Sequence, residues 1–465
     1  MKEIANKIKQ AEGHLYLVGG AVRDKFLNKN NHDEDYCVTG ITAQEFQKLF
    51  PQAHVRGKSF EVFDIEGKEF AMARTETKKG KGHKEFEIQT GEHITIQEDL
   101  ARRDITINSM AQDVLTGEII DPYHGQDDIK NKIIRATTKK FKEDPLRVYR
   151  VARFAAQFTG FEVEEQTLKM MEELKGELSS LSKERVFKEF EKALATEKPS
   201  IFFEVLKKAN VLDIHFQPIF KLIGALQPEK YHPEGDSYNH TMLALDQSAK
   251  YTQDLKIRYA TLVHDLGKGL TPKEQYPHHY NHEVTGVPVV AEFSRNIGAP
   301  NAWRKCGQTA CREHMRGGIF YKMKPSKKVE FIERIDKSYL GLHGLQIVVN
   351  CDRARGIEVE EVDRKFEDYQ FEEIGKRCLE EVNAKKVAKK YGLKEGVELG
   401  KKLHEERVRW MRDKWGRFLN VPLGHLRTVP ECPKGTKKNR PHLSLDKNQK
   451  KVYHKHMNNY SHVQK

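Results

Sequence analysis

The stretch "NNHDEDYCV" (residues 30–38) places three acidic side chains directly in front of an apolar run that predicts a β-strand. Residues two apart in a strand point to the same face, so Asp33 and Asp35 would present two carboxylates side by side while Glu34 faces away. Adjacent carboxylates repel unless a cation lies between them, and Mg²⁺ is a hard cation that prefers oxygen ligands. The stretch therefore predicts a Mg²⁺ site on Asp33 and Asp35.

A pair of glycines, Gly19 and Gly20, precedes the acidic pair in "LVGGAVRD". A Gly-Gly turn lets the backbone approach a ligand closely, and its N–H groups can bind phosphate oxygens. Arg23, at the start of the predicted helix that follows, adds a charge-assisted contact to a phosphate. Two carboxylates beside such a turn indicate metal-dependent chemistry on a phosphate group.

The composition favours a polyanionic partner, with nucleic acid the first candidate. Across 465 residues, 81 lysines and arginines outnumber 68 acidic residues, for a formal net charge of +13. Residues 421–465 hold ten basic and two acidic residues and predict a disordered tail. Since there is no membrane-length apolar run, no secretory signal and only six scattered cysteines, we expect a cytoplasmic protein without a membrane partner.

The spacing of apolar residues changes along the chain and predicts an α+β fold. Short β-type runs ("HLYLVGG", "EDYCVTG", "FEVFDI", "EFAMAR") mix with helical stretches in the first part, whereas later segments show helical spacing. The lysine- and glycine-rich residues 75–97 predict a mobile loop. The predicted regions are a head, an all-α neck, an all-α histidine-rich domain, a helical region and a basic tail, at residues 1–140, 141–225, 226–355, 356–420 and 421–465.

Five linked motifs at matching spacing point to one family. They are "LVGGAVRDKFLNKNNHDEDYCVTG", "ARRDITINSMAQD", "DPYHGQDDIKNKIIR", "FKEDPLRVYRVARFAAQF" and "SKERVFKEFEKAL". This series closely resembles the bacterial-type CCA-adding enzymes, the tRNA nucleotidyltransferases, whose head has the nucleotidyltransferase fold of the DNA polymerase beta superfamily. The later stretches "NHTMLAL", "VHDLGKGLTP" and "HHYNHEVTG" resemble the HD domain of the multifunctional members. The likeness covers residues 14 to about 416.

The resemblance implies template-independent addition and repair of the 3′-terminal CCA of tRNA, using CTP and ATP and releasing pyrophosphate. Metal ions on Asp33 and Asp35 would activate the RNA 3′-hydroxyl and steady the leaving pyrophosphate. The superfamily often has a third carboxylate on a neighbouring strand, and Glu69 is the matching position here, with a plain surface glutamate as the alternative.

The motif "RRDITIN" contributes further to the implied nucleotide site. The resemblance assigns nucleotide binding to Arg103, together with Gly20 and Arg23. The alternative for Arg103 is an ordinary ion pair with Asp104, and Arg102 is the expected bystander.

The helix predicted for "EDPLRVYRVARF" bears on which base is added. Each three-residue step turns by about −60°, so Asp144, Arg147 and Arg150 would share one side, with Arg153 just beyond. Aspartate accepts hydrogen bonds and arginine donates them, so Asp144 can bind the exocyclic amino group of cytosine or adenine while Arg147 donates to the ring nitrogen. Guanine and uracil present the reverse order and leave both partners unsatisfied. Arg150 and Arg153 would serve the triphosphate or ribose.

The histidine-rich domain resembles HD phosphohydrolases in the order of its ligands. The four residues in this order are His240, His264, Asp265 and Asp352. Imidazoles with carboxylates suit a divalent transition metal of the Ni²⁺, Mn²⁺ or Co²⁺ class and leave positions for phosphate and water. Asp336 is an alternative to Asp352. Three further histidines line the same pocket or are structural: His279, His282 and His314.

The resemblance also implies what the HD domain does and leaves other functions open. The expected activities, with His264 and Asp265 at the catalytic centre, are 2′,3′-cyclic phosphodiesterase, 2′-nucleotidase and phosphatase. A poly(A) polymerase shares the head motifs but usually lacks an HD domain, whereas a CC-only or A-only enzyme uses the same residues. A non-catalytic RNA-binding protein would have lost the acidic pair.

Two expectations concern the neck and the RNA. Arg185 and Glu189 are spaced for an ion pair along one helix, which would support the nucleotide helix. The tRNA acceptor end would be bound mainly through its phosphates and recognised by shape. The sequence leaves monomer and homodimer as alternatives.

Overall fold

The structure, a computed structural model, describes residues 1–29, 34–56, 62–78, 86–354 and 370–418. Asp33 and the basic tail 421–465 therefore lie outside the described residues. The chain divides into two units, residues 1–414 and 415–465, and only the helical residues 415–418 of the second unit are described. Within the described ranges, no helix combines the length and apolarity that a bilayer crossing requires.

The described residues between His14 and Ile120 contain nine strands, and the four runs predicted from the sequence are among them. Their bounds are β1 His14–Val18, β2 Asp35–Thr39, β3 His54–Arg56, β4 Val62–Ile65, β5 Lys68–Met72, β6 Arg74–Lys78, β7 Phe86–Thr90, β8 Ala111–Asp113 and β9 Ile119–Ile120. Seven of them form a sheet in the order β3-β4-β5-β2-β1-β8-β9. Of its neighbouring pairs, β2 and β5 run parallel and the others antiparallel. This mixed sheet with helices confirms the predicted α+β head.

Strand β2 shows how alternation places the acidic end of the sheet. Tyr36 and Val38 lie in the hydrophobic core on one face, whereas Cys37 lies in a second core cluster on the other. Asp35 is two residues before Cys37 and so emerges on that second face, at the exposed start of the strand. The apolar run thus anchors the strand and leaves the carboxylate at its rim.

Part of the predicted loop 75–97 is instead a β-hairpin. Strand β6 pairs antiparallel with β7, from Arg74 opposite Thr90 to Lys78 opposite Phe86. The prediction was wrong here because lysine and glycine content outweighed the strand-like alternation of "FEIQT". Residues 79–85 lie outside the described residues.

The remainder of the described chain is almost entirely helical, as predicted for the neck and HD regions. In the head, the helices are α1 Lys2–Gln10, α2 Gly20–Phe26, α3 Ala43–Leu49, α4 Ile96–Ala101 and α5 Gly125–Asn131. The neck has α6 Arg147–Gln157, α7 Glu165–Glu173, α8 Lys175–Leu178, α9 Lys183–Leu194, α10 Ser200–Lys208, α11 Leu212–His215 and α12 Gln217–Phe220. The rest are α13 Ser237–Tyr251, α14 Leu255–Val263, α15 His282–Asn296, α16 Asn301–Gly318, α17 Pro325–Asp336, α18 Gly341–Ala354, α19 Phe371–Glu381, α20 Ala384–Tyr391 and α21 Val397–Phe418.

Short elements complete the fold. The two-residue strands β10 Ile133–Ile134 and β11 Glu162–Val163 pair in parallel. The 3₁₀ helices are Thr106–Asn108, Lys139–Glu143, Leu266–Leu270, Lys273–Gln275 and Phe320–Lys322.

Neck and HD domain share one hydrophobic core. A single cluster of buried residues runs from Ile105 to Cys311, and within it Phe190 of α9 contacts Tyr259 of α14, ring centroids 6.3 Å apart. Arg258, 1% exposed, ties the same two regions by donating to the carbonyl of Leu194 at 2.7 Å. Two further bonds reach the carbonyls of Ala249 and Thr252 at the end of α13, so Arg258 satisfies groups that a helix terminus leaves unpaired.

Candidate active sites

Asp35 and Glu69 lie directly opposite each other on the parallel strands β2 and β5. Paired residues on neighbouring strands present their side chains to the same face, with the strands about 4.8 Å apart. Both residues are exposed. The pair provides the hard oxygen donors that a divalent cation takes. Asp33, the other predicted ligand, is not among the described residues.

The alternation places Glu34 away from this carboxylate pair, as predicted. Its carboxylate forms an ion pair with Lys68 and accepts a hydrogen bond of 3.0 Å from the Tyr36 hydroxyl. These partners lower the pKa of Glu34, with the Lys68 hydrogen bond the largest cause. The Glu34 carboxylate therefore stabilises the start of the strand through Lys68 and Tyr36, and we do not expect it to bind a ligand.

The turn before α2 requires glycine at residue 19. Gly19 has φ +69°, and a Cβ there would lie 2.8 Å from Nη1 of Arg103. Arg103 donates from Nη2 to Asp99 at 3.1 Å, while its Nε is buried and makes no hydrogen bond. Arg103 thus lies over the turn with its Nη1 nearest to it, and Asp99 rather than Asp104 is its ion-pair partner.

Arg23 lies against the same turn, next to Gly20. It is 6% exposed, donates to Asn108 Oδ1 at 2.5 Å and to Asp24 at 2.8 Å, and lies 4.8 Å from the ring of Phe158. A Cβ on Gly20 would lie 3.3 Å from its Nη2. In this structure Arg23 therefore stabilises the turn through Asn108, Asp24 and Phe158.

Asp144 precedes helix α6 instead of lying on it, which corrects the predicted arrangement of one helix face. Its backbone is extended (φ −116°, ψ 107°), and its carboxylate accepts the Leu146 N–H at 3.0 Å. The physical reason is Pro145, because a residue before proline is disfavoured in helical conformation. The other carboxylate oxygen lies 3.2 Å from Nη2 of Arg185 on α9.

Arg147, the first residue of α6, is buried and bonded to backbone. It donates to the carbonyl of Lys140 at 2.6 Å and to that of Arg102 at 2.5 Å. Arg102 in turn donates to Asp99 at 2.7 and 3.0 Å and to the Arg74 carbonyl at 3.1 Å. The expected bystander Arg102 therefore connects Arg147 with the root of the β6–β7 hairpin.

Arg150 forms a close ion pair with Asp104. Its Nε and Nη2 lie 2.7 and 2.6 Å from Oδ2 of Asp104, which is 5% exposed. Burial by itself raises the pKa of Asp104, but Arg150 and the amide of Asn108 lower it to about 2. The pair places the middle of α6 against the "RRDITIN" segment.

The predicted ion pair between Arg185 and Glu189 is absent: each residue binds a partner outside α9. Glu189, buried, accepts a bond of 2.6 Å from Nε of Arg153, and Arg185 pairs with Asp144. Sequence spacing of i, i+4 permits a pair along the helix, but here both side chains reach across to the segment 144–153. Helix α9 thus supports the "EDPLRVYRVARF" segment, as the sequence indicated.

The HD region brings the four predicted metal ligands together. The donor atoms of His240, His264, Asp265 and Asp352 all lie within 4.8 Å of one another. Nε2 of His240 is 3.0 Å from Asp352, and Nε2 of His264 is 3.3 Å from Asp265 and 3.6 Å from Asp352. The alternative ligand Asp336 is wrong, because it lies exposed at the end of α17.

The donor set of this cluster fits a divalent transition metal. Nδ1 of His264 lies 2.7 Å from the Thr261 carbonyl, so that nitrogen carries the proton and Nε2 faces the two carboxylates without a hydrogen bond. Although burial lowers the pKa of His264, Asp265 and Asp352 raise it to about 10. A buried lone pair between two carboxylates needs either a proton or a cation, and imidazole with carboxylate is a transition-metal set.

The second oxygen of Asp265 faces two more histidines. Oδ1 lies 3.2 Å from Nε2 of His282 and 3.5 Å from Nε2 of His314. Burial lowers the pKa of His314 to about 3. His279 has a structural role, since its ring nitrogens contact Thr271 and the Leu226 carbonyl, both at 2.9 Å.

Two residues that the sequence analysis did not identify complete the HD site. Oε1 of Glu234 lies 2.7 Å from Nδ1 of His240 and 2.9 Å from Nδ1 of His232. Nζ of Lys268 lies 2.6 Å from Asp265 Oδ2. Lys268 stands in the quoted motif "VHDLGKGLTP", three residues after Asp265, and that spacing on a helical turn was the available signal. Glu234 lies in a loop, where no periodicity marks it.

Fold and sites together define a polymerase-type nucleotidyltransferase head joined through a helical neck to an HD domain. The model of the Poly A polymerase head domain matches residues 15–135, that of the probable RNA and SrmB-binding site of polymerase A residues 160–222, and that of the HD domain residues 237–339. The Multifunctional CCA protein of Shewanella denitrificans is 44% identical over 329 residues, covering 69% of this chain and 79% of that protein. The chain belongs to the family of multifunctional CCA proteins, as the motif resemblance predicted.

Solved structures share the fold. A CCA-adding enzyme in complex with CTP is 20% identical, with a TM-score of 0.59, covering 92% of this chain and 94% of that one. A tRNA nucleotidyltransferase complexed with a primer tRNA and an incoming ATP analog is 21% identical, with a TM-score of 0.51, covering 80% and 99%. A nucleotidyltransferase head and an HD domain both imply use of divalent metal ions.

Proposed function

We propose that this protein adds and repairs the 3′-terminal CCA of tRNA, using CTP and ATP and releasing pyrophosphate. The observation that carries the proposal is the pairing of Asp35 with Glu69 on one sheet face, at the strand neighbouring the Gly19 turn. A carboxylate pair beside a phosphate-binding turn is suited to phosphoryl transfer, where positioning and charge neutralisation provide most of the acceleration.

The chemistry is an in-line displacement at the α-phosphorus of CTP or ATP. A bond forms from the tRNA 3′-oxygen to this phosphorus, and the bond to the bridging oxygen of the leaving pyrophosphate breaks. Mg²⁺ on Asp33, Asp35 and Glu69 would supply activation of the 3′-hydroxyl and neutralisation of the leaving group. The Gly19 turn would offer N–H groups to the triphosphate, and Arg103, whose Nη1 lies over that turn, would add a charged contact.

We assign base selection to Asp144 and Arg147. Asp144 would accept from the exocyclic amino group of cytosine or adenine, and Arg147 would donate to the ring nitrogen. For this role Arg147 must give up a hydrogen bond to a backbone carbonyl and donate to the base instead. The 2.5 Å bond to the carbonyl of Arg102 is the one it would exchange. Arg150 and Arg153, each already paired with a carboxylate, would face the ribose or triphosphate.

In the HD domain we propose a phosphohydrolase with 2′,3′-cyclic phosphodiesterase, 2′-nucleotidase and phosphatase activities. The supporting observation is the buried quartet of His240, His264, Asp265 and Asp352. A Ni²⁺, Mn²⁺ or Co²⁺ ion held there would polarise the phosphate and generate a nucleophilic hydroxide. His282, whose Nε2 lies 3.2 Å from Oδ1 of Asp265, would protonate the leaving oxygen, whereas the lowered pKa of His314 keeps that ring neutral.

One assay separates the possible head activities. A tRNA lacking its CCA is offered CTP and ATP, first separately and then together. Ordered addition of C, C and A supports the proposal, long A tails indicate a poly(A) polymerase, and arrest after CC indicates a partial enzyme. Tight binding without addition would leave only an RNA-binding role.

The HD assay uses the intact protein with added metal and 2′,3′-cyclic AMP as substrate. Conversion by the wild type and loss in a His264→Ala variant that still adds CCA supports the hydrolase. Wild-type hydrolysis by metal-replete His264→Ala contradicts it. For the tRNA acceptor end we propose binding through phosphates, so tRNA affinity should fall as salt rises.

A further inference from the structure

One buried amide beside the HD site has a hydrogen-bond donor that no neighbouring group uses. Gln227 is 6% exposed, and its Nε2 is shielded from water and makes no hydrogen bond with any of the described residues. Its Oε1 accepts a bond of 2.6 Å from Nζ of Lys268. Because a lysine ammonium can only donate, Oε1 must face Lys268, and this fixes the side on which Nε2 lies. A buried donor without a partner costs free energy, so the structure leaves a role for this N–H group.

Contacts through Lys268 place this amide at the metal cluster. Nζ of Lys268, a buried residue, lies 2.6 Å from Oε1 of Gln227 and 2.6 Å from Oδ2 of Asp265. That same Oδ2 lies 3.3 Å from Nε2 of His264. One ammonium group thus separates the amide from a carboxylate of the cluster in which the donor atoms of the HD ligands lie together.

The backbone holds Gln227 at the base of a closed loop. Leu226 and Asp236 form an antiparallel bridge across this base, and the N–H of Gln227 donates to the carbonyl of Gly235 at 3.1 Å. The carbonyl of Leu226 also lies 2.9 Å from Nε2 of His279, which ties the same segment to the chain before α15. A donor held in this way loses little conformational entropy when it binds a ligand.

The buried atoms without hydrogen bonds at this site differ in what they need. Nε2 of His264 is an acceptor and suits the cation that the cluster is fitted to bind. Nε2 of Gln227 is a donor, which no cation can satisfy. It needs an acceptor oxygen, and a phosphate bound to the metal brings a charged one to the site. The cluster and this donor together therefore match a metal-bound phosphate.

We infer that Nε2 of Gln227 donates a hydrogen bond to a non-bridging phosphate oxygen of the substrate in the HD site. The amide stays neutral and is neither a metal ligand nor a proton donor to the leaving oxygen, so its role differs from those of the cluster and of His282. Because the contact is to the phosphate, it is the same for a cyclic diester and for a monoester. The inference rests on the proposed phosphohydrolase activity and adds a substrate-binding residue outside the motifs of the sequence.

The direct test measures phosphate binding to the full-length protein with Co²⁺ in the HD site and excess Mg²⁺ for the head. The visible absorption of Co²⁺ changes when phosphate enters its coordination shell, so a titration with inorganic phosphate gives a Kd. Gln227→Met removes the donor without adding charge and should raise this Kd by about 10- to 100-fold, the range for a hydrogen bond to a charged group. The affinity for Co²⁺ itself should not change, because Gln227 is not a ligand.

A second variant separates contact with the phosphate from support of Lys268. Gln227→Glu keeps an oxygen facing Lys268 but has no donor, so it should weaken phosphate binding at least as much as Gln227→Met. Wild-type phosphate affinity in Gln227→Glu, with loss only in Gln227→Met, would show that the residue only positions Lys268. Loss only in Gln227→Glu would reflect the added negative charge. Either result overturns the inference.

The matched control is Gln275→Met, because Gln275 is an exposed glutamine of the same domain and its loss should leave phosphate affinity at the wild-type value. Hydrolysis of 2′,3′-cyclic AMP should follow phosphate affinity, with kcat/KM reduced by a similar factor in both Gln227 variants. If the wild type hydrolyses no phosphate ester, the phosphohydrolase proposal fails, and the phosphate titration still decides the inference. Equal phosphate affinity in wild type and Gln227→Met, or no phosphate binding by the wild type, overturns it.

Discussion

The guanidinium of Arg185 lies 3.2 Å from the carboxylate of Asp144, so a residue of helix α9 holds the side chain to which we assign base selection. Asp144 stands in extended backbone before Pro145 and has no helix of its own to orient it. Arg185 instead orients the Asp144 carboxylate. It belongs to the motif "SKERVFKEFEKAL", for which the sequence predicted only a structural role beside the nucleotide helix.

Loss of this support should affect base choice more than chemistry. We expect Arg185→Met to lower kcat/KM for CTP and ATP by about 10-fold and to increase incorporation of UMP, because the Asp144 carboxylate is no longer held. The measurement is single-nucleotide addition to tRNA lacking CCA. The control is Lys188→Met, which removes a positive charge from an exposed position of the same helix. This variant should behave as the wild type. Unaltered selectivity in Arg185→Met would argue against a positioning role.

Replacing the selecting carboxylate itself should have the larger effect. In Asp144→Ala no acceptor remains for the amino group of cytosine or adenine, so discrimination against UTP and GTP should weaken or addition should cease. Competition between the four nucleoside triphosphates on tRNA ending in the discriminator base measures it. Base selection equal to that of the wild type refutes the assignment.

The carboxylate pair on the sheet should be essential to nucleotide addition alone. Asp35→Ala, and the Asp33/Asp35 double alanine, should reduce CCA addition by at least about 10³-fold, and Glu69→Gln should reduce it as well. Glu34→Gln is the matched control, because Glu34 binds Lys68 and Tyr36 instead. HD activity should persist in all four variants. A double alanine variant that extends truncated tRNA at the normal rate would falsify the head assignment.

Glu234 should tune metal binding in the HD domain. Its carboxylate lies 2.7 Å from Nδ1 of His240, so it fixes the tautomer that leaves Nε2 for the metal. Glu234→Gln should weaken metal affinity by about 10- to 100-fold, as read by titration with Ni²⁺ or Mn²⁺. His343→Ala, an exposed histidine paired with Glu372, is the control. Equal metal affinity in Glu234→Gln and wild type would show that Glu234 does not contribute to metal binding.

The ion pair of the buried Asp104 with Arg150 should make the stability of the fold depend on pH in the acid range. The pKa of Asp104 falls from 3.8 to about 2 in the folded protein, so its charge stabilises the fold by about 2 kcal/mol above pH 4. That contribution is lost as pH falls through about 2. Urea denaturation midpoints should therefore be lower for Asp104→Asn than for wild type at pH 7, with the difference shrinking between pH 4 and pH 2. A gap independent of pH would contradict this linkage.

The sequence predicted best where periodicity and residue type agreed. Strand β2 and the four HD ligands followed from alternation and from a motif, and the structure brings those ligands together. The sequence-based prediction was wrong at Asp144, where Pro145 prevents the helical conformation that the spacing suggested. It was also wrong for Arg185 and Glu189, whose partners lie on another element. Spacing along one helix cannot show which side chains reach across to a neighbour.

Glu234 is a further residue whose contact could not be predicted from sequence spacing. It contacts His240 across a loop, and no pattern within a loop encodes such a contact. Arg102, the expected bystander, likewise joins Arg147 to Asp99 through its carbonyl and its side chain. Contacts made through backbone carbonyls leave no mark on side-chain periodicity, which is why they became visible only in three dimensions.

The apolar interior common to neck and HD domain means that the two proposed activities cannot be separated by a simple truncation. A truncation after residue 225 would leave Phe190 without Tyr259 and Phe216 without Phe293, and would expose aromatic surface to water. Heating should unfold both regions in a single calorimetric transition. A substitution that unfolds either half would then remove both proposed activities at once, even where it lies far from both active sites.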